Sequence, residues 1–158
     1  MVTIETVTTA GTQLDIVKEL FNEYAAELNE DICFQNPEAE FANPLTKYGL
    51  PSGTILLAFY HGQPAGCVAI QPIKLDGVCE MKRMYVRPAF RKFSIGRLLA
   101  EAILAQAAQL GYHSMVLDTL QKLAPAIRLY HSLGFTETEA YYHNPLPGVV
   151  YMEKKLGS

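Results

Sequence analysis

The chain has 158 residues, 49 % of them apolar, and a formal net charge of −3; it fits one domain (1–158) with a sizeable core and is too apolar to be disordered. The slight acidity offers no basic footprint for nucleic acid, no apolar run approaches the ~18 residues of a membrane span, and Met1-Val2-Thr3-Ile4-Glu5 lacks the basic-then-apolar pattern of a signal peptide. The expectation is a cytoplasmic protein with no membrane or nucleic-acid partner.

Val2 to Thr8 alternates as a first strand, and Thr12 to Leu28 reads as a helix with Leu14, Val17, Phe21 and Leu28 near one face. A polar connection over 29–37 leads to a short helix near Glu38 to Ala42, and Asn43 to Gly53, with two Pro and two Gly, reads as a loop. Thr54 to Tyr60, His61-Gly62 and Pro64 to Gln71 form a predicted hairpin. Val78 to Val86 is a further strand that Pro88 stops. Ile95 to Leu110 is helical, with Leu99, Ile103, Ala107 and Leu110 as its apolar stripe and Gly111 at its end. His113 to Thr119 is a strand. Pro125 opens a helix running to Leu133 with Gly134 after it. A short strand near Phe135 to Ala140, a loop over Tyr141 to Gly148 and a strand over Val149 to Lys155 complete the chain. The order β-α-α-β-β-β-α-β-α-β predicts an α/β (α+β) fold, a mixed central sheet with helices on both faces.

Cys33, Cys67 and Cys79 form no CxxC pair, and no His stands at ligand spacing, so no metal site is expected. Three scattered cysteines read as reduced core or sheet thiols.

The informative stretch is Glu80 to Gly96, in which a strand ends, a short loop follows and a helix starts at Ser94-Ile95-Gly96. A helix start offers unpaired N–H groups and the positive end of the dipole, small residues admit a phosphate, and Arg91, Lys92 and Arg97 add charge. The plain alternative is a strand-loop-helix with Ser94 as N-cap. Neither GxxxxGK[ST] nor GxGxxG is present, so the segment is not a P-loop or a dinucleotide fingerprint.

Arg91-Lys92-Phe93-Ser94-Ile95-Gly96 resembles the pyrophosphate loop [Q/R]-x-x-G-x-[G/A] of the GNAT superfamily of N-acetyltransferases. Ala126-Ile127-Arg128-Leu129-Tyr130 with Gly134-Phe135 resembles that family's A-I-x-L-Y-x-x-x-G-F. The resemblance covers about Glu80 to Phe135. It implies acetyl-CoA as cosubstrate, held by the backbone of Met84, Tyr85 and Val86 along the pantetheine arm. The amides of Lys92, Phe93, Ser94, Ile95, Gly96 and Arg97, with Arg91 beside them, would cradle the pyrophosphate. It implies Tyr130 as proton donor to the departing thiolate and Glu80 as base for the amine. Two positions depart from the pattern: Ser94 stands at its first Gly, and Leu123 stands where many members carry Asn, a contact that is lost or replaced by Asp118 or Thr119.

Each residue also has a bland reading. Tyr130 shares its helix with Leu129 and Leu133 and could be core; Glu80 could bridge to Lys82 or Arg83, on a strand face shared with Lys82, Met84 and Val86. Glu27, Asp31 and Gln35 surround the region that covers the acceptor in this family, and Tyr142 and Asn144 sit in a loop able to close over it, yet a solvated face and an Asn-Pro turn explain them equally well. The implied function is acetyl transfer to a small primary amine in a ternary complex. A non-catalytic acetyl-CoA sensor and an unrelated α/β binding domain are the competing readings. Monomer and homodimer are both open.

Overall fold

The computed structural model describes residues 1–32 and 35–157. Cys33, expected as a core or sheet thiol, lies outside them. The elements are β1 (Val2–Thr6), α1 (Thr12–Leu28), α2 (Pro37–Ala42), α3 (Pro44–Tyr48), β2 (Thr54–Tyr60), β3 (Gln63–Pro72), β4 (Val78–Val86), a 3₁₀ helix (Pro88–Phe93), α4 (Ile95–Gln109), β5 (Ser114–Leu120), α5 (Ala124–Ser132), β6 (Thr136–Glu137) and β7 (Val149–Lys155). One sheet runs in the order β1-β2-β3-β4-β5-β7-β6. Every neighbouring pair is antiparallel except β4 with β5.

Strand alternation sorts the side chains into two cores. Ile55, Leu57, Cys67, Ala69 and Tyr85 meet Leu14, Val17, Leu20 and Phe21 of α1 on one face. Leu56, Ala58, Val68, Ile70, Cys79 and Met81 meet Ile95, Leu99, Ile103 and Ala107 of α4 on the other, where Tyr130 of α5 also packs. Burial on both faces explains why β2 and β3 are nearly continuous apolar runs. His61 and Gly62 join them with φ of 49° and 79°, the two positive values that a two-residue hairpin turn of this hand requires. The segment 43–53 is not all loop: Pro44 opens the single turn of α3, and Tyr48 at its end is fully buried, edge-on to Phe21 at 6.0 Å. Five residues are too few to display a helical period.

β4 breaks its own alternation. Tyr85 pairs with Cys67, but Lys82 pairs with Ala69, so Arg83 and Met84 stand opposite Val68 in a β-bulge. Arg83 has a φ of 59°, a region costly for a residue with a Cβ. The extra residue moves the side chains beyond it to the opposite faces. Met84 and Val86 pack with Cys79 and Met81, not on one face with Glu80 and Lys82 as plain alternation predicts.

A buried ion pair holds the bulge. Arg83 Nε donates to Glu40 Oε2 at 2.7 Å and Nη2 to Oε1 at 2.8 Å, with side chains 1 % and 2 % exposed. The guanidinium lies over the rings of Tyr24 and Phe41. Burial pushes the Glu40 carboxyl up, but the hydrogen bonds and charge of Arg83 outweigh it and hold the group below its ordinary range. Glu40→Gln keeps the shape and leaves Arg83 buried without its counter-charge. It is expected to cost about 3–5 kcal/mol, seen as a lower denaturant midpoint at unchanged m; an unmoved midpoint would mean the bulge stands without the pair.

Candidate active site

The ladder between β4 and β5 spans Val78 with Ser114, Cys79 with Met115 and Glu80 with Val116. Beyond Glu80 the two strands part, and the structure carries three cavities around the gap.

The first is a groove of about 350 Å³ between α1, the end of β4 and the starts of α4 and α5, lined among others by Glu27, Tyr85, Val86, Arg91, Gly96 and Leu129. Its end wall is the N-terminus of α4, a helix of 15 residues with no side-chain cap and no acidic residue in its first turn. Ser94 precedes it with φ 60° and ψ 26°, so this serine occupies the left-handed region where glycine is usual, and its hydroxyl does not cap the helix. The first amides of α4 are thus available to an anion. Gly96 has no unusual φ; a Cβ there would stand 3.6 Å from Leu129 Cδ2, in ordinary contact, so its smallness serves the groove and not the turn. Arg91 Nε donates to the Val86 carbonyl at 2.8 Å and Nη2 to Glu27 at 2.5 Å, Arg97 donates to Ser132, and Phe93 stacks on Tyr60 at 4.0 Å. These contacts fix the segment before α4. An uncapped helix start with arginines beside it fits a pyrophosphate.

The second cavity, about 100 Å³, lies in the splay itself and shares Tyr24, Leu28, Met84, Leu123 and Ala126 with the groove. Tyr130 faces it at 6 % exposure. Its ring meets Phe135 at 5.8 Å, and Phe135 N returns to the Tyr130 carbonyl at 3.0 Å across Gly134 at φ 98°, a helix end that locks the ring in place. Burial pushes the Tyr130 phenol well above the ordinary tyrosine value, so it stays a hydrogen-bond donor at neutral pH.

The third cavity, about 750 Å³, opens on the other side and is lined among others by Gln71, Lys74, Glu80, Lys82, Tyr141 and Tyr142. Glu80 is 4 % exposed. It accepts from Gln71 Nε2 at 2.8 Å and from the Tyr141 hydroxyl at 2.5 Å. Asp118 of β5 accepts from the Tyr142 hydroxyl and from Asn144 Nδ2 at 2.8 Å, while Tyr151 donates to the Tyr142 carbonyl at 2.8 Å. Two carboxylates thus pin the 141–146 loop over the splay. Lys82 lines the second and third cavities alike.

Of the residues singled out from sequence, Tyr130, Glu80, Met84, Gln35 and Tyr142 line the splay or the cavity beyond it, whereas Tyr85, Val86, Arg91 and Gly96 line the groove. Glu27 is bound to Arg91 on the groove side, and Asp31 is exposed after α1. Leu123 lines the groove and the splay, and Asp118 is engaged with the 141–146 loop. The bridge from Glu80 to Lys82 is loose at 3.9 Å, and Arg83 goes to Glu40 instead. The sequence reading passed over Tyr24, Lys82 and Tyr141 as site residues; for Lys82 the available signal was a second charge two places from Glu80 on an otherwise buried strand. Among the described residues no helix is long and apolar enough to cross a membrane, and no group of three or more His, Cys, Asp or Glu could hold a metal ion.

The model of the acetyltransferase (GNAT) family matches residues 15–135. The chain is 52 % identical over 144 residues to an N-acetyltransferase of Schizosaccharomyces pombe, covering 90 % of this chain and 88 % of that one. It superposes on an acyl-CoA N-acyltransferase of Klebsiella pneumoniae with TM-score 0.73 and 26 % identity, covering 99 % of each. It shares its fold with an acetyltransferase of Salmonella typhimurium solved with its cofactor acetyl-CoA, at TM-score 0.69 and 22 % identity over 100 % and 95 % of the two chains.

Burial also sets the alkaline limit of stability. Tyr24, Tyr48, Tyr130, Tyr141, Tyr142, Cys67 and Cys79 all have raised pKa values, with desolvation the largest cause. The native state keeps protons that the unfolded chain releases, so stability falls as pH rises, first above the ordinary thiol value of ~8.5 and more steeply above the tyrosine value of ~10. Lys82, lowered chiefly by burial, has the opposite sign below ~10.4 and is one group against seven. Urea midpoints followed from neutral to alkaline pH should show this accelerating fall, with phenolate absorbance from these tyrosines appearing only on unfolding. Their ionisation near pH ~10 in the folded protein would contradict the assignment.

Proposed function

The chain belongs to the acetyltransferase (GNAT) family and is an acetyl-CoA-dependent N-acetyltransferase, and we propose that, as one domain, it hands the acetyl group directly to a small primary amine in a ternary complex. The observation that carries this is the splay. The β4–β5 ladder stops at Glu80, and the gap joins a groove that ends on an uncapped helix to a small cavity facing Tyr130, with the Glu80 cavity beyond.

In this reading the amides at the start of α4 bind the pyrophosphate, and the freed edge of β4 at Met84, Tyr85 and Val86 pairs with the pantetheine arm. Acetyl-CoA supplies an activated thioester at the splay. Glu80 takes a proton from the acceptor ammonium, directly or through water, and the neutral amine attacks. Tyr130 gives the departing sulfur a proton, and holding both partners in one cleft supplies much of the rate. Buried free thiols at Cys67 and Cys79 accord with a reducing, cytoplasmic setting.

Acetyl-CoA is expected to raise the melting temperature by mass action, by an amount equivalent to about 2.7 kcal/mol at 100 times Kd. Gly96→Asp puts a carboxylate at the mouth of α4 and should abolish the shift in folded protein. Tyr130→Phe keeps the ring against Phe135 and should leave the thermal shift intact while cutting kcat in a thiol-release assay by ~10²–10⁴. Full kcat in Tyr130→Phe would make the tyrosine core alone. Binding without thiol release for any amine would make the protein a non-catalytic acetyl-CoA sensor.

A further inference from the structure

Among the described residues Lys82 does not have the partners a buried ammonium needs. Its side chain is 6 % exposed. An ammonium carries three donors, and here one reaches Gln35 Oε1 at 3.4 Å, the long end of a hydrogen bond. The nearest carboxylate oxygens, Glu80 Oε2 and Asp118 Oδ1, stand at 3.9 and 4.0 Å, beyond hydrogen-bond reach. Both carboxylates are turned to other donors, Glu80 to Gln71 and Tyr141, Asp118 to Tyr142 and Asn144. Burying a charge is costly until it is both paired and hydrogen-bonded. Two donors of Lys82 therefore have no acceptor among the described residues, and they sit on the wall between the splay and the large cavity.

The geometry points to an acceptor that carries a carboxylate beside its amine, a free amino acid, with Lys82 reading the carboxylate and Glu80 receiving the amine. This rests on the transferase reading above and deepens it. Position supports it, because Lys82 stands where the acceptor must lie to meet the thioester. Spacing supports it as well: Glu80 Oε2 and Lys82 Nζ are 3.9 Å apart, so the groups they hold must sit on the same or adjacent carbons of the ligand.

Pairing decides between acceptors. The buried cluster holds two carboxylates, Glu80 and Asp118, and one ammonium, Lys82. A simple ammonium would balance the excess carboxylate but leave the spare donors of Lys82 unpaired with a second cation against them, and a simple carboxylate would bring a third anion. A zwitterion supplies an ammonium to the carboxylates and a carboxylate to Lys82, so each buried charge has a partner. The rim is mixed, with Lys47 and Lys74 against Glu139 and Glu153, so selection falls to Lys82. Chain N-termini in peptides and proteins, which lack the adjacent carboxylate, are disfavoured for the same reason.

The test is a thiol-release assay at saturating acetyl-CoA over the standard amino acids, each active one compared with its carboxamide and its decarboxylated amine. The free acid should exceed both in kcat/KM by about 10–100-fold, the worth of a charge-assisted hydrogen bond. Lys82→Met should lose most of that preference, chiefly through a raised KM for the acid, with the KM for acetyl-CoA nearly unmoved. Amides or decarboxylated amines that match the acids in the wild-type protein would overturn the inference while leaving the transferase reading in place, and this comparison needs no variant to fold. A preference that survives in folded Lys82→Met would overturn the role of Lys82. Absence of thiol release with amines of every class, in protein that still binds acetyl-CoA, would overturn the transferase reading and this inference with it.

Discussion

A residue with a Cβ stands at φ 59° in the central strand of the sheet, and a buried bidentate ion pair keeps it there. Left-handed backbone at such a residue costs about 1–3 kcal/mol, and the Arg83–Glu40 pair, flanked by two aromatic faces, anchors the side chain there. The site depends on the bulge this creates. Before it, β4 follows simple alternation and pairs with β5; after it, Met84 and Val86 have moved to the α4 face, Tyr85 packs toward α1, and the edge that β5 would have covered is open.

The polar groups differ on the two sides of the splay. The groove side has an uncapped helix start and an Arg91–Glu27 pair. The far side is a compact set of two carboxylates and one lysine, roofed by tyrosines whose hydroxyls bind the carboxylates. Between them the splay is walled by Met84, Leu123, Ala126 and Tyr130, with Lys82 and Asp118 on its far side. The same burial that keeps Tyr130 protonated makes Lys82 and Glu80 sensitive to what enters the cavity.

Much of the fold was legible because its longest elements announce themselves. Thr12–Leu28, Val78–Val86 and Val149–Lys155 have the bounds that periodicity assigned them, and Gly134 ends α5 by the left-handed conformation its position implied. The family was legible from two spaced motifs. What stayed hidden is non-local. Nothing near Arg83 in sequence reveals Glu40, 43 residues away, and without that partner a bulge is invisible and strand alternation misplaces Met84 and Val86. Glu27 looked like part of the acceptor side because it lies on α1, yet α1 turns it toward Arg91. Tyr141 and Lys82 acquire meaning only when the loop after β6 folds back over β4.

The role proposed for Tyr130 requires the sulfur of the donor to reach the splay. The most direct measurement is a crystal structure of the complex with CoA. It should show the pyrophosphate on the amides that open α4, the pantetheine arm along Met84 to Val86, and the sulfur within about 3–4 Å of the Tyr130 hydroxyl. A CoA lying outside the groove, or a sulfur that reaches the splay with Tyr130 turned away from it, would contradict the account.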